Sequence, residues 1–255
     1  MTRLSVDPQE SYLRLPRHKL LQAMPRWLRD RLDLHHTRIN ELIRRAAESS
    51  TSGQRVLDAG AGEGRYRPYF EHLHYVGIDL AVGDASWDYS RLNVLGDLTN
   101  LPLCDKVFDL VLCLEVLEHV REPQQVLQEL YRVLRPGGKL YFSVPMSWHQ
   151  HQQPHDYFRY TSFGLRYLLD KVGFDVHELA PTGGYFWFLS IQFQMLSVWV
   201  FPVRQQKWQR LVLMPLKVVI QLVFFILLPL LCYYLDSLDR QKDQTMAWTG
   251  AAIRR

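Results

Sequence analysis

An apolar strand-like run, Val56-Leu-Asp58-Ala, breaks at once into Gly60-Ala-Gly62-Glu-Gly64, three glycines at alternating positions. Glycine lets a backbone take up positive φ and approach a ligand with no Cβ in the way. A buried strand that ends in such a turn fits the carboxyl edge of an open α/β sheet, where such folds bind their ligands. The dinucleotide fingerprint needs G-x-G-x-x-G, and its third glycine would fall on Arg65. The spacing is instead G-x-G-x-G, which disfavours a nicotinamide-dependent oxidoreductase.

Strand and helix patterns alternate from Gln54 onward. Strand-like runs cover Arg55–Asp58, Tyr75–Asp79, Asn93–Gly96, Phe108–Leu114, Lys139–Val144 and Asp175–Leu179. Helical stretches cover Pro123–Leu134 and Ser162–Val172, the latter with Thr161 as N-cap and Gly173 as its stop. Leu134-Arg-Pro-Gly-Gly138 is expected to be a tight turn delivering the fifth strand. A final run, Thr245–Ile253, supplies a seventh strand. This alternation predicts a doubly wound α/β sheet of seven strands. Residues 1–50, with apolar positions at helical spacing from Trp27 to Ile43, are expected to form N-terminal amphipathic helices. The expected core is 51–180 with 241–255, and 181–240 is an apolar helical insertion before the last strand.

Further marks follow in order. Asp79 closes the second strand in Gly77-Ile-Asp79, 21 residues after Asp58, where a carboxylate can accept ribose hydroxyls. Asp97 opens Asp-Leu-Thr-Asn-Leu-Pro102 after the third strand, and the fourth runs through Cys113 into Leu114-Glu115-Val-Leu-Glu118-His119-Val. The set VLDAGAGEG, GID, GDLTNLP, LEVLEHV and VLRPGGKL resembles the class I S-adenosylmethionine-dependent methyltransferases of the type 11 kind over residues 54–180. That resemblance implies a Rossmann-like methyltransferase sheet, transferase activity and S-adenosyl-L-methionine as cofactor. It implies that Asp58 supports the glycine turn near the cofactor's amino group and that Gly60, Gly62 and Gly64 pass beneath its methionine portion. Asp79 with Leu80 would meet the ribose, and Asp97 with Leu98 the adenine. Glu115 to His119 would line the wall beside the sulfonium, with Cys113 at the strand end and His119 on the acceptor side.

After the fifth strand, His151-Gln-Gln-Pro154-His155-Asp156-Tyr157-Phe-Arg159-Tyr160-Thr161 resembles an H-x-x-P-x-D-x-x-R-Y-T stretch found in a subset of these enzymes, many tied to cell-surface glycan synthesis. Gln152 stands where the usual acid follows the histidine. Methyl transfer to a hydroxyl needs a positioned acceptor and a base for its proton. His151 is the candidate general base and His155 the runner-up. Asp156, Tyr157 and Arg159 are expected on the acceptor side, with Asp156 and Arg159 paired to hold the loop. His149, His151 and His155 match no standard metal spacing, so no metal is expected.

Charge is uneven along the chain: +4 over residues 1–50, −5 over 51–180 and +5 over 181–255. The acidic middle suits a cationic cofactor, while a nucleic-acid face is not expected. Three separated cysteines give no disulfide framework, so a cytoplasmic setting is the default, and the first residues carry no secretory pattern. Within the insertion, Tyr185–Val203 and Leu211–Leu235 are long and apolar, joined by a turn holding Arg204, Lys207 and Arg210. A two-crossing hairpin would carry those charges outward, against the positive-inside tendency. The favoured expectation is a monotopic hairpin at the inner face of the cytoplasmic membrane, with Trp187, Trp199, Trp208, Tyr233 and Tyr234 at its interface. A buried cap or a homodimer face is the alternative. The expected acceptor is amphipathic, a lipid-linked saccharide or polyprenyl-type molecule methylated on oxygen. The remaining alternatives are a soluble methyltransferase and a non-catalytic cofactor-binding scaffold.

Overall fold

The computed structural model describes residues 20–83, 86–199 and 207–255. The chain divides into two compact units. One comprises Arg38–Pro181 with Ala247–Arg255, and the other the residues up to Thr37 with Thr182–Met246. The division falls inside helix α2 (Leu34–Glu48), not at residue 50. The reason lies in its second half, where Ile39, Leu42, Ile43 and Ala46 form a stripe at i, i+3, i+4 and i+7. That stripe is buried with Val56, Leu110 and Leu112.

The larger unit is a seven-stranded sheet in the order β3-β2-β1-β4-β5-β7-β6. The strands are β1 (Arg55–Ala59), β2 (His74–Asp79), β3 (Val94–Leu95), β4 (Phe108–Leu114), β5 (Leu134–Pro145), β6 (Phe174–Pro181) and β7 (Ala247–Arg254). Strands β1 to β5 pair in parallel, and β7 runs antiparallel between β5 and β6. The chain order reverses between β1 and β4, which opens the ligand crevice of a doubly wound sheet at their carboxyl ends. Val56 and Leu57 in β1, and Val111, Leu112 and Cys113 in β4, are fully buried, because helices cover both faces of a parallel sheet.

Helix α3 (Pro123–Val133) buries Val126, Leu127, Leu130 and Val133. Helix α4 (Ser162–Val172) keeps its expected bounds. Thr161 accepts a hydrogen bond from the Gly164 amide at 3.1 Å, and Gly173 ends the helix at φ +110°. One local expectation fails. Leu134–Gly138 is not a separate turn but the start of β5, with Gly137 at φ +76° and the register against β4 shifting between Phe108 and Leu110. Glycine there bulges the strand without ending it.

In the smaller unit, α1 (Arg26–Leu32) and α5 (Tyr185–Trp199) accompany one long helix. This runs through α6 (Lys207–Ile220), a π-helical turn (Gln221–Leu227) and α7 (Leu228–Leu235). Asp236, buried, accepts from the amides of Gly184 and Trp187 and so anchors the first turn of α5. The two apolar stretches prove unequal. Helix α5 buries Trp187, Ser190, Gln194 and Ser197, and Gln194 donates to the Leu32 carbonyl at 3.0 Å. Trp187, expected at a membrane interface, has no exposed surface, so that assignment is corrected. From Leu213 to Leu238 the long helix is apolar, and only 17% of its most apolar window is buried. The loop of the basic turn, with Arg204, and the side chains of Lys207, Arg210, Trp199 and Trp208 lie outside the described residues.

Candidate functional site

Everything of chemical interest in the larger unit gathers where β1, β2, β4 and β5 end. Gly60, Gly62 and Gly64 have φ of +81°, +51° and +70°, a backbone that L side chains rarely adopt. A Cβ on Gly60 would collide with Val116. The turn is tied to β2: Gly60 and Ala61 donate to the Ile78 carbonyl, and the Gly62 amide donates to Asp79 Oδ2 at 2.9 Å. Asp79 Oδ1 accepts from the Ala81 amide at 2.7 Å, leaving Leu80 beside it half exposed. The Asp79 carboxylate therefore braces the glycine turn as well as facing the crevice edge.

Asp58 serves a different neighbour than expected. It is buried and accepts the Tyr75 hydroxyl at 2.5 Å, while the turn amides go to Ile78 and Asp79. Burial pushes its carboxyl up to about 6, partly offset by the Tyr75 bond. Asp97 is exposed and accepts from the amide and hydroxyl of Thr99 at 2.8 Å, with Leu98 buried next to it. A residue the sequence did not single out is Trp87, whose ring lies 3.5 Å from where a Gly62 Cβ would stand and 6.1 Å from the Tyr89 ring. Its only sequence signal is an aromatic pair in an otherwise polar connection.

The opposite wall begins at the end of β4. Cys113 is fully buried, and burial raises its thiol far above the usual range, so it is a packing residue. Glu115 sits at φ +56° and accepts the Ser143 hydroxyl at 2.5 Å. Such a conformation in a non-glycine residue stores strain and is over-represented at functional sites. Glu118 follows with no exposed surface and no hydrogen bond to either carboxylate oxygen. Burial, then the negative charge of Glu115, hold its carboxyl well above the usual carboxylate range.

The loop after β5 folds onto this wall. The amides of Tyr157 and Phe158 donate to the Glu118 carbonyl, and the Tyr160 hydroxyl donates to the Leu117 carbonyl at 2.7 Å. His151 is 4% exposed, its Nε2 3.9 Å from Glu118 Oε1 and its ring edge-on to His119 at 4.6 Å between centroids. Asp156 accepts the His151 amide at 2.8 Å and both guanidinium arms of Arg159 at 2.6 and 2.7 Å. Burial works to raise the Asp156 carboxyl, but the bonds from Arg159 and the His151 amide outweigh it and hold it low. Arg159 also donates to the carbonyls of Trp148 and His149, so the pair braces the loop. His155 differs from His151: its carbonyl meets His119 Nδ1, while its ring pairs with the Tyr157 hydroxyl at 3.3 Å. The site thus brings together His119, His151, Asp156, Arg159 and Glu118, the last of which the sequence placed in the wall without setting it apart from its neighbours.

This arrangement fits S-adenosylmethionine. The glycine turn gives a backbone surface cleared of Cβ atoms, and a wall of carboxyl groups suits a cationic sulfonium. Comparison with known proteins agrees. Residues 57–142 match the model of a methyltransferase domain. The chain is 30% identical over 123 residues to a ubiquinone biosynthesis O-methyltransferase of Pseudomonas entomophila, covering 44% of this chain and 52% of that one. It is 39% identical over 100 residues to a demethylmenaquinone methyltransferase of Renibacterium salmoninarum, covering 37% and 42%. The chain therefore spans about half the length of the curated relatives it matches. Among solved structures, a SAM dependent methyltransferase from Archaeoglobus fulgidus superposes with a TM-score of 0.53 at 15% identity, over 84% of this chain and 92% of that one. The ordered motifs, the sheet order with its antiparallel β7, and these matches together make residues 57–142 a methyltransferase domain of the class I S-adenosylmethionine-dependent family.

Proposed function

We propose that the chain is an S-adenosylmethionine-dependent O-methyltransferase acting on an amphipathic acceptor, a lipid-linked saccharide or polyprenyl-type molecule, at the inner face of the cytoplasmic membrane. The observation that carries the chemistry is His151, buried against Glu118 at the carboxyl edge of the sheet and turned by Asp156. S-adenosylmethionine supplies an electrophilic methyl group when bound. The chain's own work is to hold that group on the glycine turn and Asp79, and to place the acceptor hydroxyl against the Glu115–His119 wall. His151 Nε2 would take the proton that the acceptor hydroxyl gives up when methylated, the methyl–sulfur bond of the cofactor breaking to leave its neutral demethylated thioether. Such a base contributes about 10²–10⁴ in rate. His155 is the second candidate, with Tyr157 beside it.

What supports the membrane half is the long helix, on which Leu216, Val219, Leu222, Leu227 and Leu231 are exposed, with Lys217 the one exposed charge among them. The names of the two relatives, which concern ubiquinone and demethylmenaquinone, are consistent with an amphipathic acceptor. A second reading, in which the same exposed side meets a second copy of the chain, keeps the chemistry and loses the membrane. Mass spectrometry of lipid and glycan extracts from cells with and without the protein tests the proposal. The expected result is a lipid-phase species heavier by one methylene only when the protein is present; a difference confined to water-soluble small molecules would remove the membrane half.

A further inference from the structure

We propose that Glu118, His119 and His151 form a binding site for a divalent first-row transition-metal ion such as Zn²⁺ or Mn²⁺, a site the spacing of the loop histidines does not reveal. His119 Nδ1 lies 2.5 Å from the His155 carbonyl and His151 Nδ1 lies 3.2 Å from the His149 carbonyl. A carbonyl can only accept, so in each neutral ring Nδ1 carries the proton and Nε2 carries the lone pair. Both Nε2 atoms face the same carboxylate oxygen, Glu118 Oε1, at 3.6 and 3.9 Å. The Glu118 side chain is fully buried, and neither of its oxygens makes a hydrogen bond.

Three acceptor atoms thus converge, all within 4.8 Å of one another. The two N···O separations are too long for hydrogen bonds. They lie close to the edge of a tetrahedron around a small cation, about 3.3 Å for ligand bonds of about 2.0–2.1 Å. The surroundings match those of ligating histidines, whose second ring nitrogen bonds a carbonyl and whose orientation is set by a carboxylate. Here Asp156 Oδ2 stands 3.6 Å from His151 Nδ1. Two imidazoles and one carboxylate select a transition metal over Ca²⁺ or Mg²⁺ and leave coordination positions open.

The test is calorimetric titration of the chelator-treated full chain with ZnCl₂ and with MnCl₂, with Co²⁺ as an absorbing probe. One ion per chain and a cobalt d–d spectrum are expected, with affinity at least tenfold lower in Glu118→Gln and in His151→Ala. Thermal unfolding and S-adenosylmethionine titration of each variant show that it is folded. Absence of stoichiometric binding to the wild-type chain overturns the site, as does one-to-one binding that survives Glu118→Gln in a folded variant. A bound ion occupies the Nε2 lone pair that takes the proton in the proposed methyl transfer, so the two roles exclude one another at any one moment, and the binding readout tests the site whether or not His151 serves as base in the metal-free chain.

Discussion

Single residues at the sheet's carboxyl edge set both what the protein binds and what it costs to fold. Gly60 carries the clearest prediction. Gly60→Ala forces a Cβ into Val116 and into a left-handed backbone, a strain of about 1–3 kcal/mol. Calorimetry should show S-adenosylmethionine binding weakened tenfold or more, with urea unfolding shifted in the same direction. Asp58 makes a pH prediction. Its carboxyl is raised to about 6 in the folded chain, so the folded state holds the proton more tightly than the unfolded one. Its contribution to stability is complete below about pH 4 and is lost as pH rises through 6, a fall of about 3 kcal/mol. Asp58→Asn should flatten that fall in urea titrations across the range. With the cofactor's ammonium group against Asp58, as the resemblance implies, cofactor affinity of the wild type rises with pH through 6, and the Asn variant loses the trend. His151→Ala is expected to cut turnover by about 10²–10⁴ while cofactor affinity stays within a fewfold.

At the scale of elements, legibility followed how local the cause was. Thr161 and Gly173 act within one turn of α4, so its bounds could be taken from the sequence unchanged. Thr161→Ala should cost about 1 kcal/mol, read from thermal unfolding. The glycine turn and Asp79 were legible for the same reason. Glu118 was legible only as one member of the Glu115–His119 wall, because its separate importance comes from burial beneath a loop about forty residues later, which no spacing encodes. Trp87 was missed because its place over Gly62 depends on the path of the connection after β2. The π-helical turn was also invisible. Pro229 cannot donate to the preceding turn and its ring crowds the carbonyl there, so the helix widens just upstream. The widening has a consequence for the surface. Exposed Val218, Leu222, Leu227, Leu231 and Leu238 stay in register along one side, because the five-residue step from Leu222 to Leu227 falls in the π turn.

For the whole molecule, the sequence showed an apolar insertion between the last two strands, but not that its halves have different tasks. Helix α5 is held by polar contacts inside its own unit, while the long helix presents an apolar side about 39 Å in length at 1.5 Å per residue. The uneven charge of the chain, acidic through the domain and basic to either side, fits a cationic cofactor in one region and an anionic surface for the others. The double variant Leu222→Lys, Leu231→Lys should abolish sedimentation with anionic phospholipid vesicles while leaving S-adenosylmethionine binding unchanged. A wild-type chain that stays in the supernatant as a stable dimer would assign that face to a second copy instead. The most direct measurement is transfer of label from methyl-labelled S-adenosylmethionine to a membrane lipid extract by the purified chain. The account predicts labelled, organic-phase product with the wild type and at least a hundredfold less with His151→Ala, although that variant binds the cofactor. Undiminished transfer by His151→Ala, or no transfer to any fraction by a wild-type chain that binds the cofactor, would contradict it.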